Sequence, residues 1–312
     1  MAARSLPSVG LAVLMALSVQ LIPIPLAWAG PWTLGQGNLQ WKATMSFWRT
    51  DRKFASSLDA QANIEGETRA TPGQVIPFDP ETGGVLTTTG LEIKGQLGLL
   101  DWLDVSLTIP GLVMGFDTEP VDNVSTRVGL GDVRVGLIAR LPASLFDDIP
   151  VMVGGRVVAK LPTGDFDPSV FSVPLTEGQL DVAGWLSLGV SLPAQSWAVA
   201  EVGYRGRFAN PQNDRNPGEE WAFNAEVGTR LISSLAAKVA ADGLIGTQGQ
   251  IDRFGTSTLV PRRRAFSAWL GLFWTMTPTL TLDLAGRWLF AGEDFPTGVQ
   301  VFAGLRGVVA LF

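Results

Sequence analysis

The sequence predicts an all-β chain: a transmembrane, antiparallel, up-and-down β-barrel of about twelve strands with both termini on the periplasmic side. Three observations predict it. Apolar and polar residues alternate with period two in about a dozen segments, as strands with one greasy and one polar face require. The links between these segments alternate between short and long, which fits turns on one side of a membrane and loops on the other. Charged residues make up only 17% of the chain against 46% apolar residues, whereas soluble globular chains carry about 25% charged residues.

The first 29 residues read as a cleaved secretory signal peptide. Arg4 supplies the positive start, residues 9–22 are apolar, and Ala27-Trp28-Ala29 fits a cleavage site before Gly30. Pro23 and Pro25 break the apolar run, which argues against a retained membrane helix. Residues 30–312 then form one barrel domain. In the first strand Leu39, Trp41, Ala43, Met45 and Phe47 share one parity, and Gln40, Lys42, Thr44 and Ser46 share the other. The pattern returns where Leu91, Ile93, Leu97 and Leu99 alternate with Glu92, Lys94 and Gln96. It returns again where Val133, Val135, Leu137, Ala139 and Leu141 oppose Asp132, Arg134 and Arg140. Further strands are expected near 104–114, 151–161, 179–192, 197–208, 220–230, 235–245, 265–275, 279–290 and 298–312. Short links fall at 100–103, 142–150, 193–196, 231–234 and 277–279. Mostly longer, polar links fall at 51–84, 116–129, 162–178, 209–219, 246–264 and 291–298.

Charge tests which face meets what. A lipid-facing Arg or Lys at mid-bilayer costs about 2–4 kcal/mol, and nearly all strand charges fall on the polar parity. A pore lining is expected from the bases Lys94, Arg134, Arg156, Lys160, Arg205, Arg230 and Arg287, with the acids Asp181, Glu201 and Glu226. A soluble sandwich would alternate in the same way, so other features must favour lipid. The segments are each long enough to cross a bilayer at a tilt. Aromatic residues cluster near strand ends: Trp102 and Trp274 beside short turns, and Phe47, Phe208, Trp221, Trp288 and Phe290 near long loops, as in interfacial girdles. The chain closes on Phe312, like the C-terminal signal read by the barrel assembly machinery. Parity counted back from Phe312 puts Arg306 outward, so a phase shift at a bulge near Gly307 is expected.

Composition excludes several functions. The net charge of -6 argues against nucleic acid as a partner. With no Cys there is no disulfide, thiolate ligand or lipoprotein anchor, and with no His there is no imidazole for hydrolytic triads or proton shuttles. The expectation is a non-enzyme without cofactor or metal. Inward acids and bases on neighbouring strands are placed to pair, as Asp132 is with Arg156 or Lys160. Two readings stay open: a charge lattice that fills the lumen, or a weakly anion-tolerant pore lining in which a constriction selects by size and charge. Residues 51–84 are expected to fold inward as a gate. Asp117, Glu119 and Asp122 lack calcium-loop periodicity and read as a solvated loop. Arg262 to Arg264 meet lipid phosphate or form a strand-end cluster, and Asn123-Val124-Ser125 is an incidental sequon. Inward Trp48, Trp185, Trp269 and Phe273 either contact aromatic solutes or fill the lumen.

Three stretches, GLGDVRVGLIARLP (129–142), VVAKLPTGDFD (157–167) and EVGYRGRF (201–208), resemble the outer-membrane β-barrel family of the meta-cleavage (MetA) pathway of phenol degradation, whose members are named as transporters. The chain departs from that family after Asp167, where the glycine-rich return is reduced to Gly178. The resemblance implies passive uptake of small, aromatic or hydrophobic compounds, and it supplies no catalytic residue. The expected setting is a Gram-negative outer membrane, with lipid, lipopolysaccharide and a small-molecule solute as partners. The alternative function is a non-transporting structural or surface-binding barrel with a closed lumen.

Overall fold

A computed structural model describes residues 32–56, 71–78, 84–117, 125–142, 145, 150–164, 166, 175–210, 215–253 and 256–311. The expected signal peptide, Phe312 and the acidic stretch 118–124 lie outside the described residues, as does the body of the first long loop. Twelve strands close into one antiparallel barrel. They are β1 (Asn38–Thr50), β2 (Val85–Leu100), β3 (Leu103–Asp117), β4 in two pieces (Ser125–Leu130 and Arg134–Arg140), β5 (Val151–Lys160) and β6 (Asp181–Leu192). They continue with β7 (Ser196–Arg207), β8 (Glu220–Ile232), β9 (Leu235–Gly246), β10 (Arg264–Thr277), β11 (Leu280–Glu293) and β12 (Gly298–Ala310). Each pairs with its neighbours in sequence, and the ring shuts where β1 pairs β12 from Asn38↔Ala310 to Trp48↔Gln300.

Alternation sets the faces. On β9 and β10 the paired Val239 and Leu270 are 58% and 59% exposed, while Lys238, Asp242, Ser267 and Trp269 on the opposite parity are buried. A water-soluble fold does not turn its greasy row outward along every strand and bury its charges, so the outward solvent is hydrocarbon. The aromatic residues fall at the two ends: Trp102 and Trp274 are exposed beside short turns, and Phe47, Phe208, Trp221, Trp288 and Phe290 are exposed toward the long loops. Tyr204 joins Trp221 edge-on, with ring centroids 5.0 Å apart.

The expected phase shift near Gly307 is absent. Register runs unbroken through Trp41↔Gly307 and Lys42↔Arg306, and Arg306 faces the lumen, where it reaches Asp283 at 3.6 Å. Gly307 lies on the outward row beneath the Trp41 ring, where an added Cβ would come within 2.4 Å of the indole nitrogen. Small residues let large aromatic neighbours lie flat on the sheet, so the alternation needs no bulge there.

Two local features shape the site. Pro110 on β3 has no N–H to donate, and opposite it β4 is interrupted at residues 131–133. Gly131 N–H bonds the Pro110 carbonyl at 2.7 Å, and the break lets Asp132 turn into the barrel mouth. At the other end residues 33–36 run across Gly98, whose added Cβ would lie 1.9 Å from the Gly35 carbonyl oxygen. Leu34 N–H donates to Asp104 at 2.9 Å and fixes that crossing.

The hairpin between β6 and β7 turns through Ala194 and Gln195, both at positive φ (56° and 55°). Three residues, Pro193 to Gln195, lie between the paired Leu192 and Ser196, and the two successive positive φ values are those of a type I′ turn, in which Asn-Gly is favoured. Replacing the pair by Asn-Gly is expected to raise stability by about 1–2 kcal/mol, since each non-glycine residue there costs about 1 kcal/mol. Urea unfolding of the variant in lipid checks it.

Candidate functional site in the lumen

Inward side chains of the twelve strands form an ion-paired lattice. At mid-barrel Arg287 donates from Nη2 to Asp242 at 2.6 Å and from Nε to Ser267 Oγ at 2.8 Å. Ser267 Oγ and Trp269 Nε1 donate to the same Asp242 carboxylate. Lys238 pairs with Glu226, which also accepts from Trp197 Nε1 at 3.1 Å. Lys42 pairs with Asp283 at 2.7 Å. Arg156 reaches Glu201 at 3.4 Å and lies over the Trp185 ring, 4.6 Å from its centroid. Ser187 Oγ donates to Glu201 at 2.6 Å. Arg134 meets Glu92 at 3.1 Å.

The densest cluster lies at the long-loop mouth. Lys160, at the end of β5, touches Asp132, Glu177 and Asp181 at 3.2, 3.4 and 3.0 Å. Arg205 pairs with Glu220 at 2.5 Å and approaches Asp181 at 3.8 Å. Arg207 grips Glu177 at 2.5 Å and Glu220 at 2.8 Å. Arg263 closes on Glu177 at 2.9 Å. Glu177 sits outside the barrel strands, and burial pushes its pKa up. The charges of Arg207, Arg263 and Lys160 outweigh that, and hold it well below the usual carboxylate range. Burial, followed by the positive charge of Arg263, lowers the neighbouring Arg215 to about 10.

The three stretches singled out in the sequence meet at this cluster. Thr163 Oγ1 accepts from Val133 N–H at 2.9 Å, and Gly164 N–H donates to Asp132 at 3.1 Å. A Cβ on Gly164 would come within 2.7 Å of the Gly131 carbonyl carbon. The Gly-Asp and Leu-Pro-Thr-Gly runs are thus two halves of one joint that aims Asp132 at Lys160, and the third stretch supplies Arg205 and Arg207 to the cluster and Glu201 to the Arg156 pair deeper in the lumen.

Of the expected lining, Arg134, Arg156, Lys160, Asp181, Glu201, Arg205, Glu226 and Arg287 all face the lumen in these pairs. Lys94 is buried in the lumen with Lys42 and Thr108 as its cross-strand neighbours. Arg230, expected in the lining, is exposed at the short-turn rim, where the ladder to β9 slips between Arg230 and Ile232. Asp132 chooses Lys160 over Arg156. Trp48, Trp269 and Phe273 are buried inside, with Trp269 stacked on Phe302 at 5.1 Å. Arg263 turns inward onto Glu177, while Arg262 and Arg264 approach Glu293 at 2.9 and 3.9 Å, so the basic run is a strand-end cluster.

The first long link, with residues from the links at 162–178 and 291–298, contributes apolar cover at the mouth. Phe54 packs with Trp48, Ala265, Leu289 and Phe295. Phe78 packs with Leu86, Met114, Phe116 and Leu175. Residues 52–54, 75–77 and 295–296 form a small three-stranded sheet over the opening. Below it lies a cavity of about 50 Å³. Thr44, Ser46, Thr88, Glu92, Met114, Arg134, Gln300 and Phe302 line it, and it reaches the wall at Pro110 and Gly131. The mouth segment with Leu175, Glu177 and Gln179 has no strand period, and its role was not legible in the sequence.

No protein-family model matches the chain, and no curated protein does. Solved structures do match. An outer membrane channel from Pseudomonas putida F1 is 14% identical and superposes with a TM-score of 0.68, over 89% of this chain and 97% of that one. The transport unit of the autotransporter AIDA-I from Escherichia coli is 8% identical, with a TM-score of 0.50 over 98% of each chain. The TodX monoaromatic hydrocarbon channel, as a deltaS2 mutant, is 10% identical, with a TM-score of 0.46 over 89% and 91%. At such identities the likeness concerns architecture. The chain therefore has the fold of an outer-membrane β-barrel, closed by twelve antiparallel strands.

Proposed function

We propose that the protein is a channel for passive passage of small molecules across a Gram-negative outer membrane, with the long loops outside and the short turns and both termini in the periplasm. The cavity beside the Glu92–Arg134 pair carries this reading. Its lining mixes hydroxyls, an amide and an ion pair with Met114 and Phe302, so the lumen there presents polar and apolar groups together to whatever passes, although at about 50 Å³ the cavity itself is smaller than an aromatic solute. Charged residues on that path set size and charge preference, and neither cofactor nor covalent chemistry takes part. The chain reaches the membrane through a cleaved signal peptide and the barrel assembly machinery, which reads Phe312. In the membrane it contacts lipid and lipopolysaccharide. The resemblance of residues 129–142, 157–167 and 201–208 to the meta-cleavage transporter family accords with small aromatic or hydrophobic solutes.

A second reading is favoured by one observation: Lys160 alone engages three carboxylates, which suits a barrel whose lumen stays shut and whose loops bind something outside. Uptake into liposomes separates the two. The channel reading expects purified protein to raise the entry of small aromatic solutes well above that of empty liposomes, with large sugars excluded. Entry rates equal to those of empty liposomes for every solute, with no conductance in planar bilayers, would reject it.

A further inference from the structure

The mouth segment is held by two different kinds of contact only two residues apart. Leu175 is 1% exposed and fills a socket made by Phe78, Leu86, Met114 and Phe116, in which the Phe78 and Phe116 rings meet edge to face at 5.8 Å. Glu177 places its carboxylate against Arg207, Arg263 and Lys160. Asn210 Nδ2 donates to the Glu177 carbonyl at 2.6 Å and fixes the backbone directly after Glu177. Two residues of extended chain span at most about 7 Å, so an apolar body and a carboxylate sit side by side at that spacing.

Resting on the channel reading, we propose that this mouth is a seat for a small amphipathic monocarboxylate, with a branched or aromatic body, and that Leu175 and Glu177 occupy its two halves from within the chain. Charge makes the seat selective. The bases Lys160, Arg205, Arg207, Arg215 and Arg263 face the acids Asp132, Glu177, Asp181, Glu220 and Asp294. Withdrawing Glu177 leaves one positive charge in excess in a buried site, which is unfavourable until an anion replaces it. Guanidinium groups suit a carboxylate in particular, because their planar donors can meet both of its oxygens. A neutral alcohol of the same shape fits the socket and leaves the charge unanswered. Met114 belongs both to the socket and to the cavity beside it, so the seat adjoins the lumen.

The test is equilibrium binding by calorimetry to the full chain in detergent, with benzoate, benzyl alcohol and acetate as probes. Glu177→Gln removes the internal competitor's charge, and Leu175→Ala removes its apolar half while every charge stays in place. The expected result is benzoate binding at least tenfold tighter to Glu177→Gln than to the unaltered chain, with a smaller gain for acetate, which has no apolar body, and none for benzyl alcohol. Leu175→Ala is expected to bind benzoate and benzyl alcohol severalfold tighter, with no gain for acetate. If Glu177→Gln does not fold, Leu175→Ala decides alone. Benzoate binding that is no tighter in the folded variants, or a gain for benzyl alcohol in Glu177→Gln equal to that for benzoate, overturns the seat. Liposome uptake of neutral solutes is measured in parallel. Uptake without benzoate binding overturns the seat and leaves the channel, whereas benzoate binding without any uptake overturns the channel and supports a receptor site.

Discussion

Leu270→Arg is expected to destabilise the barrel by about 2–4 kcal/mol, because the new guanidinium would sit at mid-strand on the lipid-facing side. Leu270 lies near the middle of β10 and faces outward beside Val239, within a row that also holds Val227. The size of the effect discriminates between environments. If that row faced water, adding a charge at a 59% exposed site would change stability by only about 0.5 kcal/mol in either direction. Reversible urea unfolding in lipid vesicles measures it. The same substitution at Val128, 73% exposed near the long-loop end of the barrel, is expected to cost about 1 kcal/mol or less, since the penalty falls toward the interface.

Asp242→Ala is expected to cost about 3–5 kcal/mol, the loss that follows when one partner of a buried pair is removed and the other charge stays. Asp242 accepts from Arg287, Ser267 and Trp269, and Arg287 itself is 4% exposed. The guanidinium cannot swing out to water without leaving the Trp269 ring that it covers at 5.0 Å. Replacing both charges together, as Asp242→Leu with Arg287→Met, is expected to cost far less, because no unpaired charge remains. A single-mutant cost near 0–1 kcal/mol would mean that water reaches this depth, and the lumen would then be open there.

Much of the barrel was readable because a closed sheet in lipid has only two environments, and period two reports them residue by residue. Lys42 and Arg287 fall on the inward parity of the sequence, and each is buried with an acid. Parity gives face and not height. Arg230 follows the inward phase of β8, yet it sits at the rim, where the ladder slips just after it, and the alternation carries no signal for that. The phase shift inferred near Gly307 assumed that Phe312 continues the outward row. Unbroken pairing through Arg306 shows that the described strand keeps one phase to Ala310.

The mouth was less legible for a different reason. Its pieces are two- and three-residue strands and single buried side chains such as Phe54, Phe78 and Leu175, too short to show a period. Their partners lie far away in sequence: Glu177 meets Arg263, 86 residues later. Asp132 carried a better clue, since a Gly-Asp pair opposite a proline on the adjacent strand marks a broken ladder, and a freed carboxylate there needs a cation.

The central claim is that the outward rows contact hydrocarbon while the interleaved charges are sealed inside. Because the chain has no cysteine of its own, a fluorophore can be placed singly at Leu270→Cys and, on the buried parity of the same strand, at Ser267→Cys. In vesicles, the label at 270 is predicted to be quenched by brominated acyl chains and untouched by aqueous iodide, with no acyl-chain quenching at 267. Iodide quenching at 270 together with silence from the brominated lipid would contradict the account.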